Sequence, residues 1–258
     1  MKDILISIAT RHDDKKLKVQ NQLTNPEMLD RTFKMLYDTC NSKDNFDVQV
    51  IICDDQVDMY EPILTKWKIK PVVIPYGESW LNLFREQHKQ MKNGYYFFMF
   101  VPDDMYGLNK DWDLHILKKK KHFKDDLFVL FTQYTGWKRQ KDIFKEPYLN
   151  INNCSQRFEQ QPIWTYKFGE FFYHLFEFPF NYSKSREIII PLILHFLNKD
   201  NPKQNRHIEC DLDYERLLCT QNMTLKEFPD YIKLEKADFD DIKPIVRRMK
   251  EYIESKKE

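Results

Sequence analysis

The chain has 258 residues, enough for one substantial core with at most a small appendage. Its 41 basic and 40 acidic side chains leave a net charge of +1, which removes the general electrostatic argument for nucleic acid or an anionic membrane as main partner. Five scattered cysteines without a Cys-x-x-Cys pair argue for reduced thiols and against zinc. No stretch reaches the roughly 20 apolar residues of a membrane span, so a soluble, cytoplasmic protein is expected.

Met1-Lys2-Asp3-Ile4-Leu5 enters a strand over Ile4 to Ile8 instead of a signal sequence. A helix is predicted from Pro26 to about Cys40, with Asn25 as its cap, Pro26 at its first position and Leu29, Phe33, Leu36 and Cys40 on one face. Val48 to Cys53 reads as a strand, Met59 to Trp67 as a short helix and Pro71 to Ile74 as a third strand. Ser79 to Met91 repeats Trp80, Phe84, His88 and Met91 at helical spacing, and Tyr95 to Val101 is a strand apolar enough to be buried on both faces. Strands alternating with helices imply a parallel sheet with right-handed crossovers.

A helix is expected around Asp113 to Phe123 and a strand at Leu127 to Thr132. Residues Phe158 to Tyr182 are crowded with aromatics, of which Trp164 and Tyr166 are the best sugar-stacking candidates, core packing being the alternative. Ile188 to Leu197 and Asp211 to Cys219 look helical, and a charged helix runs from Asp238 to about Lys256. Lys118 to Lys121 reads as a solvated helix face, with peripheral contact to anionic lipid headgroups as the other reading.

Polar or acidic residues close three predicted strands: Thr10-Arg11, Asp54-Asp55 and Asp103-Asp104. Ligands of open α/β sheets bind at the carboxyl ends of strands, so the three groups suggest one shared site. An isolated carboxylate is too costly to bury, which points the Asp103-Asp104 pair at a partner such as a metal ion, Pro-Asp-Asp also being ordinary turn chemistry.

Residues 4 to 135 resemble the GT-A glycosyltransferases, particularly the family 2 type. Leu5-Ile6-Ser7-Ile8-Ala9-Thr10-Arg11, Val50-Ile51-Ile52-Cys53-Asp54-Asp55, Gly77-Glu78-Ser79 with Asn82, and Asn93-Gly94-Tyr95 through Asp103-Asp104 carry the resemblance, as does Leu108-Asn109-Lys110-Asp111-Trp112. Pro102 stands where many members have the first Asp of the DXD motif, and Gln56-Val57 replaces a Gly-Ser. The resemblance implies an α/β fold: a GT-A, Rossmann-like, mostly parallel sheet flanked by helices, with a helical C-terminal extension. It implies a transferase domain over residues 1–225, with a donor-binding half at 1–135 and an acceptor half at 136–225, and an extension at 226–258.

By that resemblance Asp54 or Asp55 would bind the base or ribose of a nucleotide-diphosphate sugar. Asp103 and above all Asp104 would hold Mn²⁺ or Mg²⁺ against its diphosphate, hard ions suited to carboxylates. Thr10, Arg11 and Arg85 would line the donor nucleotide, and His207 would complete the metal shell. An inverting enzyme needs a base for the acceptor hydroxyl, which the family takes from an acidic motif beside a later helix. The match is Glu209-Cys210-Asp211-Leu212-Asp213, with Asp211 ahead of Asp213 and Glu209, helix capping being the plainer account of these acids. The acceptor would be a glycan, a lipid-linked sugar or a protein. A sugar nucleotidyltransferase or a non-catalytic nucleotide-sugar-binding module would use the same sheet. The former usually has a glycine-rich loop after the first strand, which Ala9-Thr10-Arg11-His12-Asp13 lacks.

Overall fold

The computed structural model describes residues 2–10, 25–76, 86, 94–103, 105–134, 162–173, 186–199, 204–216 and 236–256. Strands β1 (Ile4–Ala9) and β4 (Phe97–Pro102) lie at the centre of one sheet and pair in parallel. β2 (Phe46–Cys53) adds in parallel to β1, and β3 (Val72–Ile74) in parallel to β2. Beyond β4, β7 (Ile163–Thr165) runs antiparallel to both β4 and β6 (Val129–Tyr134). β6 pairs in parallel with β8 (His207–Arg216), whose end meets the two-residue β5 (Met105–Tyr106) in antiparallel. The order is β3-β2-β1-β4-β7-β6-β8-β5, a mostly parallel sheet.

The alternation of side chains along buried strands divides the core in two. Ile4, Ile6, Ile8, Val50, Ile52, Phe97, Met99 and Val101 face α1 (Asn25–Thr39), α2 (Val57–Trp67) and α3 (Trp112–Leu117), which contribute Leu29, Phe33, Leu36, Tyr60, Leu64, Trp112 and Ile116. Leu5, Phe98, Val129 and Trp164 face the other way. They pack with α4 (Tyr166–Tyr173), α5 (Arg186–Lys199) and α6 (Lys236–Glu254) through Phe168, Ile193, Leu197, Ile245 and Met249. The described part of the aromatic stretch, residues 162–173, therefore yields a strand and a helix of the core. Trp164 is 1% exposed and stacks on Phe98 at 5.2 Å, so it serves packing and not sugar stacking.

Two expected elements differ. The expected Asp211–Cys219 helix is a strand as far as Arg216, the rest lying outside the described residues: Glu209 and Asp211 are exposed while Cys210 and Leu212 are buried, a period of two that suits a strand with one covered face. The helix expected to reach Phe123 stops at Leu117, and the following lysines occupy turns in which Lys121 takes a φ of 60°. The expected Ser79–Met91 helix lies outside the described residues apart from Glu86.

At the amino edge of the sheet one ion pair joins four elements. Arg206 Nη1 and Nη2 donate to Asp125 Oδ1 and Oδ2 at 2.7 and 2.8 Å, and Nη1 also donates to the Leu127 carbonyl at 2.7 Å. The guanidinium lies 4.7 Å from the Phe123 ring centroid, Asn198 of α5 accepts from the Arg206 amide, and the Tyr252 hydroxyl of α6 donates to the Asp125 carbonyl. Both side chains are buried, so removing one partner strands a charge in a medium that cannot solvate it. Arg206→Ala is expected to lower the unfolding free energy by about 3–5 kcal/mol in urea titration. Lys120→Ala, which breaks the half-exposed pair with Asp3, is expected to cost less than about 1 kcal/mol.

Candidate functional site at the carboxyl edge

β1 and β4 end level, because Ala9 is in register with Pro102, while β2 runs two residues past Ile51, the partner of Ala9, to Cys53. Thr10 and Asp103 therefore emerge side by side. The Thr10 amide continues the ladder to the Ile51 carbonyl at 3.1 Å, and its hydroxyl donates to Asp103 Oδ2 at 2.5 Å. Tyr60 of α2, fully buried, lies 2.9 Å from the same hydroxyl. A hydroxyl has one proton, and Thr10 gives its proton to the carboxylate, so Tyr60 is the donor in the second bond. Burial pushes the Tyr60 hydroxyl well above the usual tyrosine range, with the Asp103 charge adding to the shift against the Thr10 bond, so it stays protonated and able to donate. Asp103 is half-buried and held by a chain of hydroxyls. Thr10, expected to line the donor, is 5% exposed and instead forms the seat of Asp103.

β2 leads into a 3₁₀ turn, Asp54–Gln56, and then α2. Asp54 Oδ1 accepts from the Tyr76 amide at 2.9 Å, tying the end of β2 to the segment after β3, while Asp55 is exposed. Two strand spacings across the sheet and two residues along it separate this pair from Asp103, roughly 12 Å.

β8 brings the acidic stretch toward this edge. Its pairing with β6 shifts between Phe131↔Glu209 and Gln133↔Asp213, so four residues of β8 span two of β6 and Asp211 sits in the resulting bulge. Bulges re-aim side chains and recur beside functional sites. Farther on, Tyr106↔Glu215 and Met105↔Arg216 lock the end of β8 to the strand that directly follows Asp104. Glu209 and Asp211 are both exposed.

His207 is not brought to this edge. It opens β8 opposite Val129, which is level with Trp164 and hence with Phe98, five residues short of Asp103. At about 3.3 Å per residue and about 4.8 Å per strand, roughly 20 Å separate it from Asp103. Its ring is buried edge-on against Phe131 at 4.5 Å, a core role. Arg11, Arg85, Asp104 and the Asp213 side chain lie outside the described residues, as do Gly77-Glu78-Ser79 and Asn82.

Among the described residues no three His, Cys, Asp or Glu side chains converge as a self-sufficient metal cage. A magnesium-type site needs only one or two carboxylates when substrate phosphates supply the other oxygens, and the oriented carboxylate of Asp103, next to Asp104 in sequence, fits that chemistry. Tyr60 escaped the sequence reading, its one signal being a hydroxyl on the apolar stripe that also carries Leu64.

No family model matches the sequence, and neither does any curated protein. Solved structures do resemble it. Glucosyl-3-phosphoglycerate synthase from Mycobacterium tuberculosis, in complex with Mn²⁺, UDP-glucose and phosphoglyceric acid, superposes with a TM-score of 0.53 at 12% identity, over 93% of this chain and 80% of that one. A cytidylyltransferase from Leptospira borgpetersenii gives a TM-score of 0.46 at 14% identity, over 97% and 95% of the two chains. A 4-diphosphocytidyl-2C-methyl-D-erythritol synthase from Anaerococcus prevotii gives 0.49 at 10% identity, over 96% of each. Strand order, crossovers and the first of these superpositions agree: the chain has the α/β, Rossmann-like fold of the GT-A type.

Proposed function

We propose that the protein is a metal-dependent glycosyltransferase that moves a sugar from a nucleotide-diphosphate donor to an acceptor hydroxyl with inversion. The observation that carries this reading is the Asp103 carboxylate, held by Thr10 at the carboxyl end of β4, where a GT-A-type sheet receives its donor. The similar synthase of Mycobacterium tuberculosis was solved with Mn²⁺ and UDP-glucose, which supports a donor of the same class. The exit from β1, Ala9-Thr10-Arg11-His12-Asp13, has no glycine to let a triphosphate approach the backbone, and this favours glycosyl over nucleotidyl transfer.

In this reading Asp104 and Asp103 hold Mn²⁺ or Mg²⁺. The ion, when bound, neutralises the charge that builds on the diphosphate as the anomeric bond breaks. Asp54 or Asp55 takes the base or ribose, and Arg11 and Arg85 add positive charge beside the phosphates. Asp211, exposed in the β8 bulge, accepts the proton of the acceptor hydroxyl. The freed oxygen attacks the anomeric carbon from the face opposite the diphosphate, so the configuration inverts. Asp213 and Glu209, along the same strand, are the next candidates for the base. The acceptor is a hydroxyl of a glycan, a lipid-linked sugar or a protein.

Among the described residues no helix is long and apolar enough to cross a membrane.

Thermal unfolding with nucleoside diphosphates and their sugars, with and without Mn²⁺, tests the site directly, because a ligand selective for the folded state raises its melting temperature. One base is expected to give a Mn²⁺-dependent rise. No rise with any nucleotide, in folded protein, sinks the transferase reading. Asp104→Ala is expected to abolish that rise while its melting temperature without ligand stays near wild type; an undiminished rise removes Asp104 from the site. Asp211→Asn is expected to keep donor affinity measured by calorimetry and to lower turnover by about 10²–10⁴-fold. Normal turnover in that variant moves the base to Asp213 or Glu209.

A further inference from the structure

Thr32 lies in the middle of the buried stripe of α1, among Met28, Leu29, Phe33 and Leu36, and is itself 0% exposed. Threonine inside a helix ordinarily satisfies its hydroxyl on the carbonyl four residues back. Thr39 of the same helix does so, donating to the Met35 carbonyl at 2.6 Å. Thr32 does not. Its hydroxyl points across to the carbonyls of Asp103 at 2.8 Å and Met105 at 3.1 Å, 71 and 73 residues away in sequence. One proton is shared between two acceptors, and those acceptors belong to the residues on either side of Asp104.

The link therefore runs from a crossover helix to the point where β4 ends and β5 begins. The Asp103 carboxylate is fixed through Thr10 and Tyr60, and the Asp103 backbone through Thr32, so two hydroxyl systems from two helices define one residue. Met105 is held twice as well, by Thr32 and by its pairing with Arg216 of β8. Such duplication exceeds what satisfying a buried polar group requires, since a single acceptor would suffice for the Thr32 hydroxyl.

We propose that Thr32 is a positioning residue of this site, holding the backbone at Asp103 and Met105 so that the Asp103 carboxylate meets its ligand already oriented. The inference rests on the transferase reading for the nature of that ligand, a metal-bound nucleoside diphosphate. Pre-orientation lowers the ordering cost of binding, so loss of the hydroxyl reaches affinity without touching the ligand.

The test uses Thr32→Val, which keeps the shape and removes the donor, with Thr32→Ala as a second hydroxyl-free variant that crowds nothing and Thr32→Ser as the rescue. Amide hydrogen exchange of metal-free protein is read at Met105 and Tyr106, and the affinity for Mn²⁺ with UDP, GDP, ADP or CDP is read by calorimetry. Val and Ala are expected to speed exchange at those amides by about 3- to 10-fold and to weaken nucleotide binding by a similar factor, with Ser close to wild type in both. Exchange that rises evenly across the sheet, or affinity equal to wild type, reduces Thr32 to a core residue and overturns the proposal. If the wild-type chain binds none of these nucleotides with Mn²⁺, the transferase reading falls and takes this inference with it.

Discussion

The sheet is covered on both faces where it matters most, and that constraint organises the molecule. Every residue of β4 from Phe97 to Pro102 is buried, and β1 beside it is buried from Ile4 to Ile8. A charge placed among them would lose its hydration with nothing in return, so carboxylates are confined to the strand ends. The two ends then use them differently. At the amino edge Asp3, Asp47 and Asp125 pair with Lys120, Lys2 and Arg206, cations that cancel them. At the carboxyl edge the Thr10 hydroxyl donates to Asp103 and the Tyr76 amide to Asp54, bonds that orient each carboxylate.

This division explains what was legible in the sequence. Strands buried on both faces announce themselves as continuous apolar runs, and the polar residues that stop them mark the edge, so β1, β2 and β4 and the Thr10, Asp54 and Asp103 positions could be read directly. β8 was harder. Among its described side chains Cys210 and Leu212 are the fully buried apolar ones, and a segment with that few apolar positions fits a helix as well as a strand until its neighbour β6 is known. The strand also sets His207, which the resemblance put in a metal shell, apart from its sequence neighbour Asp211. A strand at about 3.3 Å per residue separates such neighbours far more than a helix does.

Register is what the sequence could not supply. The four-to-two bulge opposite Phe131 and Gln133, and the antiparallel meeting of Met105 with Arg216, depend on how two distant segments align. Both fix where Asp211 stands: a strand joined at its end to β5 and bulged in its middle holds it on the element paired with Met105, which a free loop would not do reproducibly.

The hydroxyls complete that logic from the opposite face of the argument. Thr10 follows β1 and reaches the Asp103 carboxylate, Thr32 of α1 reaches the Asp103 backbone, and Tyr60 of α2 bonds to the Thr10 hydroxyl. The two helices are also what cover the first face of the sheet, through Leu29, Phe33, Leu36 and Leu64. The contacts that seat α1 and α2 on the core are therefore the contacts that set the attitude of Asp103. A cavity opened under either helix would be felt at the carboxyl edge through a hydroxyl, because close-packed interiors pass displacement on instead of absorbing it. Precision at this site is a property of the core beneath it, and Asp103 is as well placed as the packing of the two helices beside it.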